Sequence, residues 1–312
     1  MSRVGKTAYI FPGQGSQYVG MGKDLFAGYP SAKEMFTRAD ELLGIPLSKT
    51  CFEGPEEELK QTKNTQPAIF LHSVVVWSLL QPKDAAMVAG HSLGEYSALV
   101  AAGALSFEDG LALVRKRGEL MQKAGEENRG TMAAVVGLDA KVVGEVCCTA
   151  WKEGVVQAAN FNSPGQIVIS GSVSGVRKAM ELAKERGAKL VKELVVSGAF
   201  HSPLMQSAKD GLKAALDAVE IRDAKIPVYA NVTAKPVQNA DVIRTMLFEQ
   251  VTSPVRWDET IVQMSADGAS TFIEVGPGKV LQGLVKRISP GAAVGGIDSA
   301  ASIASAAGRE QG

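Results

Sequence analysis

Gly90-His91-Ser92-Leu93-Gly94 fits the pattern G-x-S-x-G, between an apolar run at Ala85–Ala89 and a helical pattern over Leu93–Ala102. A sharp strand-to-helix turn at such a place lifts the serine hydroxyl clear of the sheet, and the glycines are needed because neighbouring segments come too close for a Cβ. The helix that starts just beyond Ser92 offers free backbone N–H groups and the positive end of its dipole. The Leu93 N–H is therefore a natural donor to an oxyanion. Glu95, in the first turn of that helix, reads as an acid favoured there by the dipole. The same five residues also occur by chance in turns that are only structural; the strand before and the helix after favour a nucleophile.

A serine nucleophile needs a base, and the chain holds three histidines. His72 lies in the apolar helical pattern Pro67–Leu80 and reads as a core or helix-face histidine. His91 is inside the elbow, and a residue next to the nucleophile points away from it across the turn. His201 stands in Ser197-Gly198-Ala199-Phe200-His201-Ser202-Pro203, where a strand gives way to a loop. Loops at strand ends carry catalytic side chains, so His201 is the expected base, with an exposed loop histidine as the alternative. A second glycine-rich turn, Phe11-Pro12-Gly13-Gln14-Gly15-Ser16-Gln17, also follows a strand. Its glycines are out of register for G-x-G-x-x-G, and no G-x-x-x-x-G-K-[ST] is present, which leaves little case for nucleotide binding.

These residues need a scaffold. Strand Thr7–Phe11, a glycine-rich turn and a helical stretch from about Met21 make an α/β opening. Pro67 reads as a first helical position, with a buried helix running on to Leu80. After Asn128–Gly130 the rhythm changes to strand Thr131–Val136, helix Asp139–Ala150, strands Val155–Ala159 and Gln166–Ser170, helix Val173–Arg186 and strand Ala188–Leu194. That order, β-α-β-β-α-β, is ferredoxin-like. It predicts a small domain at 130–196 inserted in a larger α/β domain formed by 1–129 and 197–312. The tail Ala300–Gly312 shows no apolar period and reads as frayed.

Composition limits the function classes. Of 312 residues, 33 Lys and Arg balance 33 Asp and Glu, so no basic excess exists for binding nucleic acid over the whole surface. The longest apolar stretch, Ala68–Leu80, is shorter than the ~20 residues of a membrane span. Met1–Gly13 lacks the apolar core of a signal peptide. Three cysteines, two of them adjacent at Cys147 and Cys148, and no CxxC argue against a disulfide framework or zinc site, and all three read as small buried or half-buried hydrophobes.

GQGSQ at Gly13–Gln17, GHSLGEY at Gly90–Tyr96, RKRGELMQ at Arg115–Gln122, NFNSPGQ at Asn160–Gln166, GAFHS at Gly198–Ser202 and EVGPGKVL at Glu274–Leu281 stand in this order along the chain. Together they resemble the malonyl-CoA:acyl carrier protein transacylase family of type II fatty-acid synthesis, over about residues 7 to 290. The resemblance implies an α/β-hydrolase-like large domain with an inserted ferredoxin-like domain. It implies Ser92 as acylated nucleophile, His201 as its base, and a backbone carbonyl near Gln250 in place of an aspartate. Gln14 would supply the second oxyanion N–H beside Leu93, and Arg117 would hold the malonyl carboxylate. Asn162, with Asn160, would line the cleft. Arginine suits that task because its planar fork grips a carboxylate with two parallel hydrogen bonds.

The expected substrate is malonyl-CoA and the expected partner acyl carrier protein, with no metal or bound cofactor, no nucleic acid and no membrane, and with the chain acting as a monomer. Bacterial cytoplasm and plastid stroma both fit. The rivals are an acyltransferase of the same fold for methylmalonyl or acetyl groups, an esterase with the order Ser…Asp/Glu…His and an H-G-G-G-type loop, and a carrier-binding module without catalysis.

Overall fold

A computed structural model describes residues 5–309. Its ten strands are β1 (Lys6–Phe11), β2 (Ala85–Gly90), β3 (Gly130–Val136), β4 (Val156–Ser163), β5 (Gln166–Ser172), β6 (Leu190–Glu193), β7 (Val228–Tyr229), β8 (Pro236–Val237), β9 (Ala269–Val275) and β10 (Ala293–Ile297). They form two sheets. The larger has the order β10-β9-β1-β2-β7-β8 and is parallel except for the last pair. The smaller has the order β4-β5-β3-β6, with every pair antiparallel. Chain order and strand order together are ferredoxin-like, beside a mixed α/β sheet of the hydrolase-like kind.

The central strands of the large sheet are covered on both faces, which is why they read as unbroken apolar runs rather than alternating ones. Along β1, Ala8 and Ile10 pack into one core with Met87, Trp257 and Phe272, while Tyr9 and Phe11 enter the other with Phe36, Phe70 and Val88. The small sheet carries its own core, with Ala133, Val135 and Ile169 set against Val143, Val146 and Val176 of its two helices. Those helices begin where the sequence supplies caps. Asp139 accepts from Val142 N–H at 2.8 Å, and Ser172 from Gly175 N–H at 3.2 Å.

The sheets are stitched together at β4. Val255 N–H donates to Ala159 O at 2.8 Å, and Phe161 N–H to Val255 O at 2.9 Å, so the small sheet is bonded to the segment just before the helix Trp257–Ala266. The other face of the small sheet, at Met132 and Val168, joins the large core.

The structure departs from the sequence reading at four points. Pro67 is not a first helical residue, because the helix runs Thr62–Leu80 with Pro67 inside it. The carbonyl of Lys63, which a residue-67 N–H would have bonded, instead accepts from Arg115 Nη1 at 2.9 Å, and this removes part of the cost of an internal proline. The glycine-containing strand β10 was not foreseen. Cys148 is exposed, whereas Cys51 and Cys147 are buried.

The tail is the fourth. Ala300–Arg309 is a helix, and only Glu310–Gly312 of the expected frayed segment, with Met1–Val4 at the other end, lie outside the described residues. Alanine's high intrinsic propensity makes a helix here without a strong apolar stripe. Ser302 N–H donates to Ser299 Oγ at 3.3 Å, Ala300 N–H donates to Asp24 Oδ2 at 2.7 Å, and Ile303 is buried in the large core. Replacing Ile303 by aspartate removes about 1.5–3 kcal/mol of apolar burial and adds an unpaired charge. Thermal unfolding followed by circular dichroism should give a lower midpoint for Ile303→Asp, with Ile303→Val between it and the parent. An unchanged midpoint would show that this helix adds nothing to the fold.

Candidate active site

At the carboxyl end of β2 the chain turns too tightly for side chains. A Cβ on Gly90 would lie 1.8 Å from the backbone carbon of Gly94, and one on Gly94 would lie 2.1 Å from Phe11 O. Ser92 itself sits at φ 52°, a left-handed conformation that costs free energy in a non-glycine residue. Asn231, at the end of β7, holds this turn. Its Oδ1 accepts from Ser92 N–H at 2.6 Å, and its Nδ2 donates to Gly90 O at 2.7 Å.

The β1 turn is pinned against the elbow. His91 N–H donates to Phe11 O at 3.0 Å, and a Cβ on Gly13 would lie 2.4 Å from His91 O. This close approach brings Gln14 to the same cleft as Leu93. Among the described residues, neither backbone N–H has an acceptor.

The cleft has a volume of ≈ 250 Å³ and is lined by Gln14, Ser92, Leu93, Arg117, Asn162 and His201 among others. Ser92 Oγ lies 2.8 Å from His201 Nε2. The other ring nitrogen, Nδ1, faces two carbonyl oxygens, Gln250 O at 2.9 Å and Ser253 O at 3.1 Å. Two acceptors assign the proton to Nδ1 and leave Nε2 free to accept from the serine hydroxyl. The histidine loop is itself held, since Gln157 of β4 donates through Nε2 to His201 O at 2.7 Å and to Thr252 O at 3.2 Å. Burial lowers the His201 pKa to about 3, and the guanidinium of Arg117 adds to the effect.

Arg117 is 1% exposed, on the helix Phe107–Glu127. Its Nη1 donates to Gln66 Oε1 at 2.8 Å, and its Nη2 to Gln250 Oε1 at 2.9 Å and Ser92 Oγ at 3.0 Å. Among the described residues no carboxylate pairs with it, and Nε has no partner. Burial lowers its pKa accordingly. The guanidinium carbon also lies 5.7 Å from the centroid of the Tyr96 ring, so neutral oxygens and an aromatic face surround the cation, and none of the groups bonded to it carries a negative charge.

All seven sequence-predicted residues converge. Ser92, His201, Gln14, Leu93, Arg117 and Asn162 line the cleft. Gln250 stands behind it, fully buried, bonded to Arg117 through its side chain and to His201 through its carbonyl. Asn162 Oδ1 lies 2.8 Å from His91 Nε2. His91 also lines the cleft, with its ring engaged by Asn162, while the Ser92 hydroxyl is bonded to His201. His72 is fully buried in its helix, where desolvation lowers it to about 4.

Sequence reasoning missed Gln66, Asn231 and Gln157, and took Glu95 only as an acid in the first turn of a helix. For Asn231 a signal existed, because a polar residue closing a parallel strand lies at the sheet end that carries sites. Gln66 and Gln157 gave none.

A serine on a strained strand–helix elbow, bonded to a neutral histidine beside an oxyanion-binding turn, defines an acyl-transfer enzyme. The acyl transferase domain family matches residues 8–306. The chain belongs to that family, among the malonyl CoA-acyl carrier protein transacylases. It is 51% identical to the malonyl CoA-acyl carrier protein transacylase of Bacillus subtilis strain 168 over 289 residues, 92% of this chain and 91% of the relative. The crystal structure of an acyl carrier protein S-malonyltransferase from Vibrio cholerae superposes with a TM-score of 0.93 at 44% identity, covering 96% of this chain and 99% of that one. A malonyl-transacylase solved in complex with its type II polyketide acyl-carrier protein gives 0.94 at 40% identity, over 97% and 99%.

The tautomer and burial of His201 have a direct readout. Its ring should keep the neutral, Nδ1-protonated ¹⁵N chemical shifts from roughly pH 8 down to roughly pH 5, where an ordinary histidine has taken up its proton. A transition of that ring near pH 6.5 would contradict the arrangement.

Proposed function

We propose that the chain transfers a malonyl group from malonyl-CoA to the phosphopantetheine thiol of acyl carrier protein, for fatty-acid synthesis, through a malonyl-serine ester. Ser92 Oγ attacks the thioester carbonyl while His201 Nε2 takes its proton. The N–H groups of Gln14 and Leu93 receive the developing oxyanion. Collapse of the tetrahedral intermediate breaks the carbon–sulfur bond, and His201 returns the proton to the departing CoA thiol. The carrier thiol then attacks the ester, gives its proton to the same nitrogen, and Ser92 leaves with it. Two half-reactions at one serine are ping-pong kinetics. Residues 130–196 act as the inserted domain that walls the cleft. No metal or cofactor takes part, and the cytoplasm is the proposed compartment.

The observation that carries this reading is Arg117. In a malonyl thioester the carboxylate is two bonds from the reacting carbonyl carbon, so a group that grips it has to lie beside the nucleophile. Arg117 Nη2 is 3.0 Å from Ser92 Oγ, and the buried guanidinium has no negative charge bonded to it among the described residues. The incoming carboxylate supplies that charge. A neutral acyl group would leave the cation unpaired, which disfavours acetyl transfer. An esterase places a carboxylate behind its histidine, whereas His201 has carbonyl oxygens there.

Ser92→Ala should abolish the malonyl adduct in intact-mass analysis while leaving the circular dichroism spectrum unchanged. Arg117→Ala should lower kcat/KM for malonyl-CoA at least ~100-fold, because the lost charge-assisted bonds and the unpaired carboxylate exceed ~2.8 kcal/mol. Acetyl-CoA should react as well as before or better. Arg117→Lys should fall between, since an ammonium lacks the two-pronged grip. Equal losses for both acyl groups would remove the substrate assignment.

A further inference from the structure

Glu95 follows the elbow, in the first turn of the helix Gly94–Ala101. An acid there ordinarily stands in solvent and favours the helix dipole. Glu95 is instead 2% exposed, and its carboxylate reaches away from its own helix. One oxygen, Oε2, accepts from Gln250 Nε2 at 2.7 Å and from Asn231 N–H at 3.2 Å. Both donors belong to residues that touch the reactive groups. Asn231 holds the Ser92 N–H, and Gln250 holds Arg117 and His201.

A glutamine amide can sit in two orientations that exchange its oxygen and nitrogen. In the one present, Gln250 Nε2 donates to Glu95 Oε2 and to Ser92 O at 3.0 Å, and its oxygen faces Arg117 Nη2 at 2.9 Å. Turned over, the amide would set NH₂ against the guanidinium, donor to donor, and its oxygen against two acceptors. Burial raises the Glu95 pKa to about 7; its Oε2 accepts from the amide whether the carboxyl is ionised or neutral, and more strongly when ionised. It therefore fixes which end of the amide Arg117 meets. Glu95 is also the acidic side chain linked to the buried guanidinium through a single amide.

We propose that Glu95 is a positioning residue: by anchoring the Gln250 amide it aims Arg117 at the acyl carboxylate, and so sets the preference of the site for carboxylated over neutral acyl groups. The role rests on the malonyl reading above and adds to it a determinant outside the cleft lining. Glu95 makes no contact with the acyl group; it acts through Gln250. The preference follows because a displaced guanidinium loses its geometry toward a carboxylate, whereas acetyl has no group for it to meet. Glu95 has no bond to Gln14, Leu93 or His201, so its loss reaches the oxyanion donors and the base only through Asn231 and Gln250.

The test compares kcat/KM for malonyl-CoA and acetyl-CoA, by adduct formation on Ser92, in the parent, Arg117→Ala, Glu95→Met, Glu95→Asp and Glu95→Gln. Methionine keeps the volume and removes the acceptor. The malonyl-to-acetyl ratio should fall ~10-fold or more in Glu95→Met, with the acetyl value within ~3-fold of the parent, because misplacement of a binding group by about 1 Å costs up to 10²-fold. Glutamine can place its amide oxygen where Oε2 stands, so Glu95→Gln should restore the ratio to within ~3-fold of the parent. Glu95→Asp, which withdraws the carboxylate by one methylene, should lower the ratio in the same direction and decides the matter if Glu95→Met does not fold. Equal losses for both substrates, or an unchanged ratio in the folded variants, overturn the proposal. A parent enzyme without preference for malonyl-CoA, or an Arg117→Ala variant that keeps it, overturns the malonyl reading instead.

Discussion

A guanidinium buried without a carboxylate beside it is the constraint on which the site depends. Taking a cation out of water costs several kcal/mol unless other groups replace its solvation. Here Gln66 and Gln250 offer one amide oxygen each to Arg117, and the Ser92 hydroxyl a third acceptor. These neutral partners accept hydrogen bonds but bring no charge, and the acid Glu95 reaches the guanidinium only through the Gln250 amide. The helix that carries Arg117, Phe107–Glu127, is accordingly tied down over its length. Ser106 caps its start, accepting from Asp109 N–H at 3.0 Å, and Gly125 lets the Ser197 backbone approach, where a Cβ would be 2.1 Å from Ser197 O. Precision in a charged contact requires rigid support, because an arginine side chain has many rotamers to lose.

The same constraint explains why His201 needs no acid behind it. An aspartate at Nδ1 would stand near the guanidinium and supply the negative charge that the site reserves for its substrate. Two backbone carbonyls fix the tautomer and orientation without a net charge. With a pKa of about 3, His201 remains neutral and ready to accept a proton. Its basicity is low, and the imidazolium that forms in the reaction has carbonyl dipoles, rather than a carboxylate, to stabilise it. Arg117 lies close to that imidazolium as well, and a malonyl carboxylate bound to Arg117 offsets their repulsion. Acyl recognition and base strength are thus coupled through the same cation.

What the sequence disclosed divides along physical lines. Ser92 and His201 were legible because their chemistry demands particular residue types beside turn signals, Ser92 at the end of β2 and His201 in the loop after β6, whereas Arg117 was singled out by the family resemblance, since an arginine on a helix ordinarily reads as an exposed one. The two glycine-rich turns were legible because a missing Cβ is written directly into the chain. The α/β order and the ferredoxin-like order followed from strand and helix periods. Gln66, Asn231 and Gln157 were not legible, since each acts by one or two hydrogen bonds to residues far away in sequence, and amides occur throughout any surface. Glu95 was visible but misassigned, because an acid in the first turn of a helix already has an adequate local explanation, and only its burial denies it. The tail helix and β10 were lost for a different reason. Their alanines, serines and glycines carry a weak hydrophobic period, and tertiary contacts with the large core decide their state.

The position of the small sheet bears on catalysis as well as on the shape of the cleft. β6 ends at Glu193, and the chain leaving it delivers Phe200 and His201 after a few residues. Across the same seam, β4 pairs with Val255, and Gln157 of β4 bonds both His201 O and Thr252 O. The base is therefore suspended between a loop that leaves the small sheet and a strand that belongs to it, while its acceptor carbonyls, Gln250 O and Ser253 O, come from the large part of the chain. Any slide of the small sheet along the seam would move the imidazole relative to Ser92 Oγ and relative to those carbonyls at once. A hydrogen bond weakens steeply as its angle falls below about 120°, so the Ser92–His201 contact survives only where the two sheets keep one register. The β4–Val255 backbone bonds help to keep that register, together with Met132 and Val168 of the small sheet packed into the large core.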